Sequence, residues 1–187
     1  MRCQEADIAA APLLVISMRE RVVDFTKPFM TSRVAAIMKQ RHATQFDIHS
    51  VRDLAHQSTV KYGVLSSSAT QFLFRTSTLP HYEHMWSQMA NNPDTSFVHM
   101  TSEGIERVVA SDDQNPWAFL SDTVNLASAA RNMSDLVVVT DPYNERYVSL
   151  ALALGATPLL SRLNLGILML SENDEINRLR IKWWNLQ

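Results

Sequence analysis

A chain of 187 residues with 46% hydrophobic side chains is long enough to bury a real core, as one domain or as two lobes. Its 17 Lys and Arg against 19 Asp and Glu leave a net charge of −2, which gives no electrostatic case for a nucleic-acid partner. A single cysteine, Cys3, excludes an intrachain disulfide, a redox pair and a Cys-rich zinc site.

The N-terminus lacks the basic start, apolar core and small-residue cleavage site of a secretory signal. The abrupt opening MRCQEADIAAAPL, a few residues before a strand, reads as a start within a longer sequence. DIAAAPLLVI then reads as a buried strand and extended segment, and VAAIM, Val34 to Met38, as a strand covered on both faces. In SVRDLAHQ, Ser50 with Asp53 three residues on forms a capping-box-like opening to a short helix. The strand TVKYGVL follows, then the small polar stretch SSSAT and an amphipathic helix from QFLFR onward, the usual order of an α/β unit. HYEHMWSQM and TSEGIERVVAS read as helices, PWAFLSD as a strand ending in a polar pair, NLASAARN as a helix and DLVVVT as a strand. The run LALALGATPLL contains Gly155 and Pro158 and falls well short of the ~20 apolar residues of a membrane helix. From Arg162 to Trp184 one or two helices close the chain, with Ile176, Leu179 and Trp183 on one helical face. The class is α/β, in two lobes.

Catalytic patterns are weak. The SSS run, Ser66 to Ser68, lacks the flanking glycines of a nucleophile elbow. His81 and His84, with Glu83 between them, stand on a predicted helix; two metal ligands on one face compete there with the commoner reading, a solvated face. Four glycines supply no G-x-G-x-x-G and no P-loop. A binding site remains, and no metal or cofactor is implied.

The run ADIAAAPLLVISMRERVVDFTKPFM resembles the ligand-binding core of ionotropic glutamate receptors, with AP, RE and DF-KPFM following a strand. The resemblance continues through DLAHQSTVKYGV, SSSATQFLF, YEHMW, SEGIERV and KWW, nearly the whole chain. It implies a periplasmic-binding-protein-like clamshell, here with lobe 1 from residues 1–26 and 150–187 and lobe 2 from residues 27–149. The first lobe is expected to be incomplete, since the family's lobe begins well before ADIAAAP. VAAIMKQRHATQFDIHSV stands where the family places its pore helices.

The resemblance also carries a site. Arg19 matches the arginine that grips the ligand α-carboxylate, a role suited to a guanidinium's two parallel donors. Read locally, the same arginine is a surface partner of Glu20 or Asp24. Pro12 matches the position whose carbonyl accepts from the ligand ammonium, and its missing N–H ends the strand's pairing there. Leu14 occupies the place of a Thr or Ala that gives its backbone N–H to the α-carboxylate; plain core packing is the alternative. Ala69 and Thr70 match a helix start on the second lobe that receives ligand carboxylates, against a plain N-cap as the other reading. Ser68 stands where many members have glycine.

Asp122 matches the acidic residue that pairs with the ligand ammonium. Aspartate there is similar to NMDA subtypes, and the shorter carboxylate leaves room for a water. Ser121 replaces a blocking tryptophan of the glycine-binding subunit and Thr70 its valine, so the resemblance implies L-glutamate as ligand. Met133 lies near the place of a disulfide cysteine in vertebrate members. Function would be closure on an amino acid, driving a cation channel from the extracellular side of a homo- or hetero-oligomeric receptor, without enzymatic chemistry. The segment itself is expected to be soluble and to make no membrane contact. A free amino-acid solute-binding protein and a degenerate, non-binding domain are the alternatives.

Overall fold

The computed structural model describes residues 6–131 and 133–184; Cys3 lies outside them. Two compact units result, one from the residues up to Ser32 together with those from Glu145 on, the other from Arg33–Asn144.

The second unit is built on strands β3 (Met30–Lys39), β4 (Lys61–Leu65), β5 (Phe97–Val98), β6 (Trp117–Asp122) and the first half of β7 (Leu136–Leu152), in the order β7-β3-β6-β4-β5. β3 runs antiparallel to β6, from Val34↔Asp122 to Ile37↔Phe119. β4 runs parallel to β6, from Lys61↔Trp117 to Val64↔Leu120, and β5 continues parallel on its other side. The unbroken apolar run Val34–Met38 is fully buried because both faces of this sheet are covered. Val34, Ala36 and Met38 point into one core with Tyr62, Val64, Ala118 and Leu120, whereas Ala35 and Ile37 point into another with Trp117 and Phe119. Helices α3 (Val51–His56), α4 (Ala69–Thr76) and α5 (Pro80–Asn91) cover the first core with Leu54, Phe74, Tyr82, Met85 and Met89. Helices α7 (Thr101–Ala110) and α8 (Thr123–Arg131) cover the second with Ile105, Val108 and Leu126. Met133, where the disulfide cysteine was considered, packs against this second core.

Local chemistry follows the sequence at several element ends. Ser50 Oγ accepts from Asp53 N at 3.1 Å and donates to the Asp53 carboxylate at 2.8 Å, which opens α3. A side chain at Gly63 would put its Cβ 2.3 Å from the Ser96 carbonyl oxygen and 2.7 Å from the Trp117 ring. The short α6 (Pro93–Ser96) therefore reaches β4 because residue 63 has no Cβ.

Helix α2 (Gln40–Gln45) was not expected in VAAIMKQRHATQFDIHSV. It has no capping side chain, and its apolar anchor is brief: His42 and Ala43 are its buried residues. The strand reading DLVVVT covers less than a third of β7, which runs 17 residues and passes through Pro142.

In the first unit, β1 (Ile8–Leu14) and β2 (Asp24–Phe25) flank the end of β7, both antiparallel to it. Leu152 faces Ile8 on one side and Asp24 on the other. The turn after β2 is tied down by Thr26, whose buried hydroxyl accepts from Leu150 N at 3.1 Å, and by Lys27 N donating to Asn164 Oδ1 at 2.7 Å. Helices α9 (Thr157–Glu172) and α10 (Glu175–Trp184) complete the unit. The face predicted on α10 is only partly turned inward. Ile176 shares a groove with Phe29 and Met30, while Leu179 and Trp183 are 46% and 58% exposed.

Candidate functional site

Four of the six candidate positions depend on how two strands end. β1 approaches Pro12 in register with β7 at Ala9↔Ala151 and leaves it at Leu13↔Ser149. Between these pairs three residues on β1, Ala10 to Pro12, therefore oppose one on β7, Leu150, a bulge at the point where proline has no N–H to offer. Pairing is interrupted at Pro12 and resumes, so the expectation that it stops there is corrected. Pro12 is exposed on this bulge, and Leu14, back in register, is buried.

Arg19 lies in α1 (Ser17–Glu20), the turn that follows β1. Its Nη1 donates to the Leu14 carbonyl oxygen at 3.0 Å. Leu14 thus does two jobs: its side chain packs in the core and its carbonyl steers the guanidinium. The surface-pair reading of Arg19 does not hold, since Arg19 makes no ion pair with any described residue. Asp24, one of the two expected partners, instead accepts from Gly155 N at 2.7 Å. One of the guanidinium's five donors is used, and the others are available to an acceptor from outside.

On the second unit, Ser68 is the N-cap of α4, its Oγ accepting from Gln71 N at 3.0 Å. Gln71 reaches back, and its Oε1 accepts from Ser67 N at 2.6 Å. This near-reciprocal S-x-x-Q arrangement holds Ser67 at φ 58°, a left-handed conformation unusual for a residue with a side chain. Ala69 and Thr70 follow as the first two residues of the helix, both buried. The plain N-cap of this stretch is therefore Ser68, and Ala69 and Thr70 lie just inside the helix start.

Asp122 ends β6 and is buried. Asn125, one turn into α8, donates from Nδ2 to Asp122 Oδ2 at 3.2 Å. Arg33 N donates to Thr123 Oγ1 at 3.1 Å, so the junction between β6 and α8 is stitched to β3. Ser121 is buried beside Asp122, in register with Ala35. Gln71 and Asn125 were not singled out from sequence. The spacing S-x-x-Q was a legible signal for the first, while the second required knowing that a helix begins at Thr123.

The other candidate cluster dissolves. Among the described residues no group of three side chains is placed to hold a metal ion. His81 turns toward the buried Asp141, its Nε2 3.7 Å from Oδ2, and Tyr82 donates its hydroxyl proton to the same carboxylate. His84 is exposed on α5.

Compared with solved structures, the chain matches "Drosophila muscle GluRIIB complex with glutamate" at 31% identity and a TM-score of 0.85, over 96% of this chain and 69% of that one. The chain belongs to the ionotropic glutamate receptors. Within it, residues 1–42 match the family described as "Ligated ion channel L-glutamate- and glycine-binding site", a span that includes β1, Arg19 and β3. Relatives in this receptor family include "Glutamate receptor ionotropic, kainate glr-3" of Caenorhabditis elegans, 31% identical over 82% of this chain and 18% of that receptor. "Glutamate receptor 3" of Mus musculus is 34% identical over 73% of this chain and 15% of that receptor. The chain thus spans less than a fifth of the length of these full receptors. Its mixed α/β architecture is that of a glutamate receptor ligand-binding domain. Among the described residues, no helix is long and apolar enough to cross a membrane.

Proposed function

We propose that this chain binds L-glutamate through Pro12, Leu14, Arg19, Ala69, Thr70 and Asp122, as part of the extracellular ligand-binding domain of a cation channel. The observation that carries the reading is Arg19, held by a single hydrogen bond that it donates to the Leu14 carbonyl and, among the described residues, left without a carboxylate partner. An arginine oriented in this way presents parallel donors at fixed separation, and a ligand α-carboxylate matches them. The ladder is interrupted at Pro12, and a backbone carbonyl at such a break suits an ammonium. The buried Asp122 supplies a compensating negative charge, oriented by Asn125. The start of α4, with Thr70 at its second position, favours the second carboxylate of the ligand through the helix dipole.

These residues fall in both units. A ligand that touches both sets favours the arrangement in which all contacts form at once, and that differential contact is the source of work for a channel. No step of this function makes or breaks a covalent bond; the domain is a binding module and not an enzyme. In the parent receptor it would act within a homo- or hetero-oligomer, on the extracellular side of the membrane.

Calorimetric titration of the chain with L-glutamate, glycine, alanine and serine tests the reading. Glutamate is expected to bind tightest, and Arg19→Ala to weaken it by roughly 100-fold, because charge-assisted bonds contribute ~1.5–3 kcal/mol each. Unchanged glutamate affinity in Arg19→Ala would overturn the site assignment. Absence of glutamate binding, also when the chain is extended N-terminally, would leave a degenerate domain.

A further inference from the structure

β7 passes from the second unit into the first, and the second unit ends at Asn144. Asp141 is the last buried side chain before that point, at 4% exposure; Pro142 and Tyr143 after it are exposed. Proline has no N–H for the ladder, so β7 loses a backbone donor just where it leaves the unit.

Burying a carboxylate costs free energy unless its oxygens are satisfied, and Asp141 pairs with no described lysine or arginine. Each of its oxygens has a separate task. Oδ1 accepts from Tyr143 N at 2.9 Å, so the side chain closes the turn over Pro142. Oδ2 accepts the hydroxyl proton of Tyr82, in the first turn of α5. His81 Nε2 lies 3.7 Å from the same oxygen and makes no hydrogen bond.

Tyr82 is fully buried, and its ring meets Phe74 edge-on with 4.9 Å between centroids. Phe74 stands one turn after Thr70 on α4, and residues so spaced share a helix face. Thr70, Phe74, Tyr82 and Asp141 are all buried inside the second unit. Packing alone would be served as well by an apolar pair in place of the hydroxyl and the carboxylate. The polar pair adds a directed bond, from the helix packed on α4 to the carboxylate that shapes the exit of β7.

We infer that Tyr82 and Asp141 are a positioning pair, a clasp that couples the start of α4 to the point where β7 leaves the second unit, so that a ligand at Thr70 is felt at Tyr143 to Glu145. The ligand end of this route rests on the glutamate reading; the clasp itself does not.

Amide hydrogen exchange, followed by NMR on the 187-residue chain, tests both. Without ligand, Tyr82→Phe should speed exchange of the Tyr143 amide roughly tenfold or more, the equivalent of a hydrogen bond to a charged group. Asp141→Asn, which offers one oxygen where two are used, should speed it as well, and stands in wherever Tyr82→Phe fails to fold. The double variant should fall short of the product of the two effects. Val108→Ala loosens the other core and controls for lost stability; it should speed exchange in β4 and leave Tyr143 nearly unchanged. Near-saturating L-glutamate should slow exchange at Tyr143, Asn144 and Glu145 roughly fivefold or more in the parent chain, the low end of measured couplings. In Tyr82→Phe that slowing should be lost, while amides at the start of α4 still slow. A Tyr143 amide unchanged in both single variants, or sped equally by Val108→Ala, would overturn the clasp. Slowing at Tyr143 to Glu145 that survives Tyr82→Phe would overturn the coupling. If glutamate changes exchange nowhere in the parent chain, the glutamate reading fails and the ligand-free comparison decides the clasp.

Discussion

Arg19 and His42 are two basic side chains whose surroundings decide opposite fates. Arg19 keeps its charge in reach of a ligand because a carbonyl, not a carboxylate, positions it. His42 is fully buried, its Nε2 3.2 Å from Asp113 Oδ1 and its Nδ1 without a partner. Desolvation by burial dominates and lowers its pKa; the Asp113 hydrogen bond opposes this, while Arg41 and Lys39 on the same stretch reinforce it. A folded-state pKa below the unfolded value means the unfolded chain binds the proton more readily. Stability contributed by neutral His42 is therefore present above about pH 6.5 and is lost as pH falls toward the folded pKa. The urea midpoint should drop between pH 7.5 and pH 5.5, and drop less in His42→Gln than in the parent chain. An identical pH dependence in the two would remove His42 as the cause. Nothing in QRHAT announced this burial from sequence, because a lone histidine between Arg41 and Ala43 reads equally well as exposed.

At the scale of elements, sequence pattern served well where one physical signal dominated and poorly where tertiary packing chose. The cap at Ser50, the continuous apolar run Val34–Met38 and the turn before α4 each rest on local chemistry and were legible. Helix α2 and the length of β7 rest on neighbours remote in sequence, and neither carries a local marker strong enough to announce it. The apolar face of α10 was a correct periodicity that packing did not use in full, since Leu179 and Trp183 stay exposed. The glycines show the same division. Gly63 sits against backbone, with the Ser96 carbonyl oxygen 2.3 Å from where a Cβ would be, so Gly63→Ala should destabilise by roughly 1–3 kcal/mol or more as an overpacked core does. Gly166, inside α9 with no atom within 4 Å of its would-be Cβ, should behave oppositely, Gly166→Ala stabilising by roughly 0.5–1 kcal/mol through helix propensity. Chemical denaturation of the two variants checks the sign of each; equal effects would mean that the close approach at β4 yields to a methyl at little cost.

For the whole molecule, the site residues were legible only through resemblance, because their identities are ordinary and their meaning lies in which strand end each one occupies. Pro12, Leu14 and Arg19 belong to one unit and Ala69, Thr70 and Asp122 to the other, so thermal stability can test whether a ligand engages both. A ligand that binds the native state alone stabilises it by ~2.7 kcal/mol at roughly 100-fold over its Kd. For a chain of this size each kcal/mol raises Tm by about 2–4 °C, so near-saturating L-glutamate should raise it by about 5–11 °C. If both units hold the ligand, Arg19→Ala and Asp122→Ala should each reduce the shift to near zero at the same glutamate concentration, although the substitutions stand in different units. A shift that survives Arg19→Ala but not Asp122→Ala would place binding in the second unit alone. The anchoring role of the arginine at the end of β1 would then be wrong, whatever the affinity.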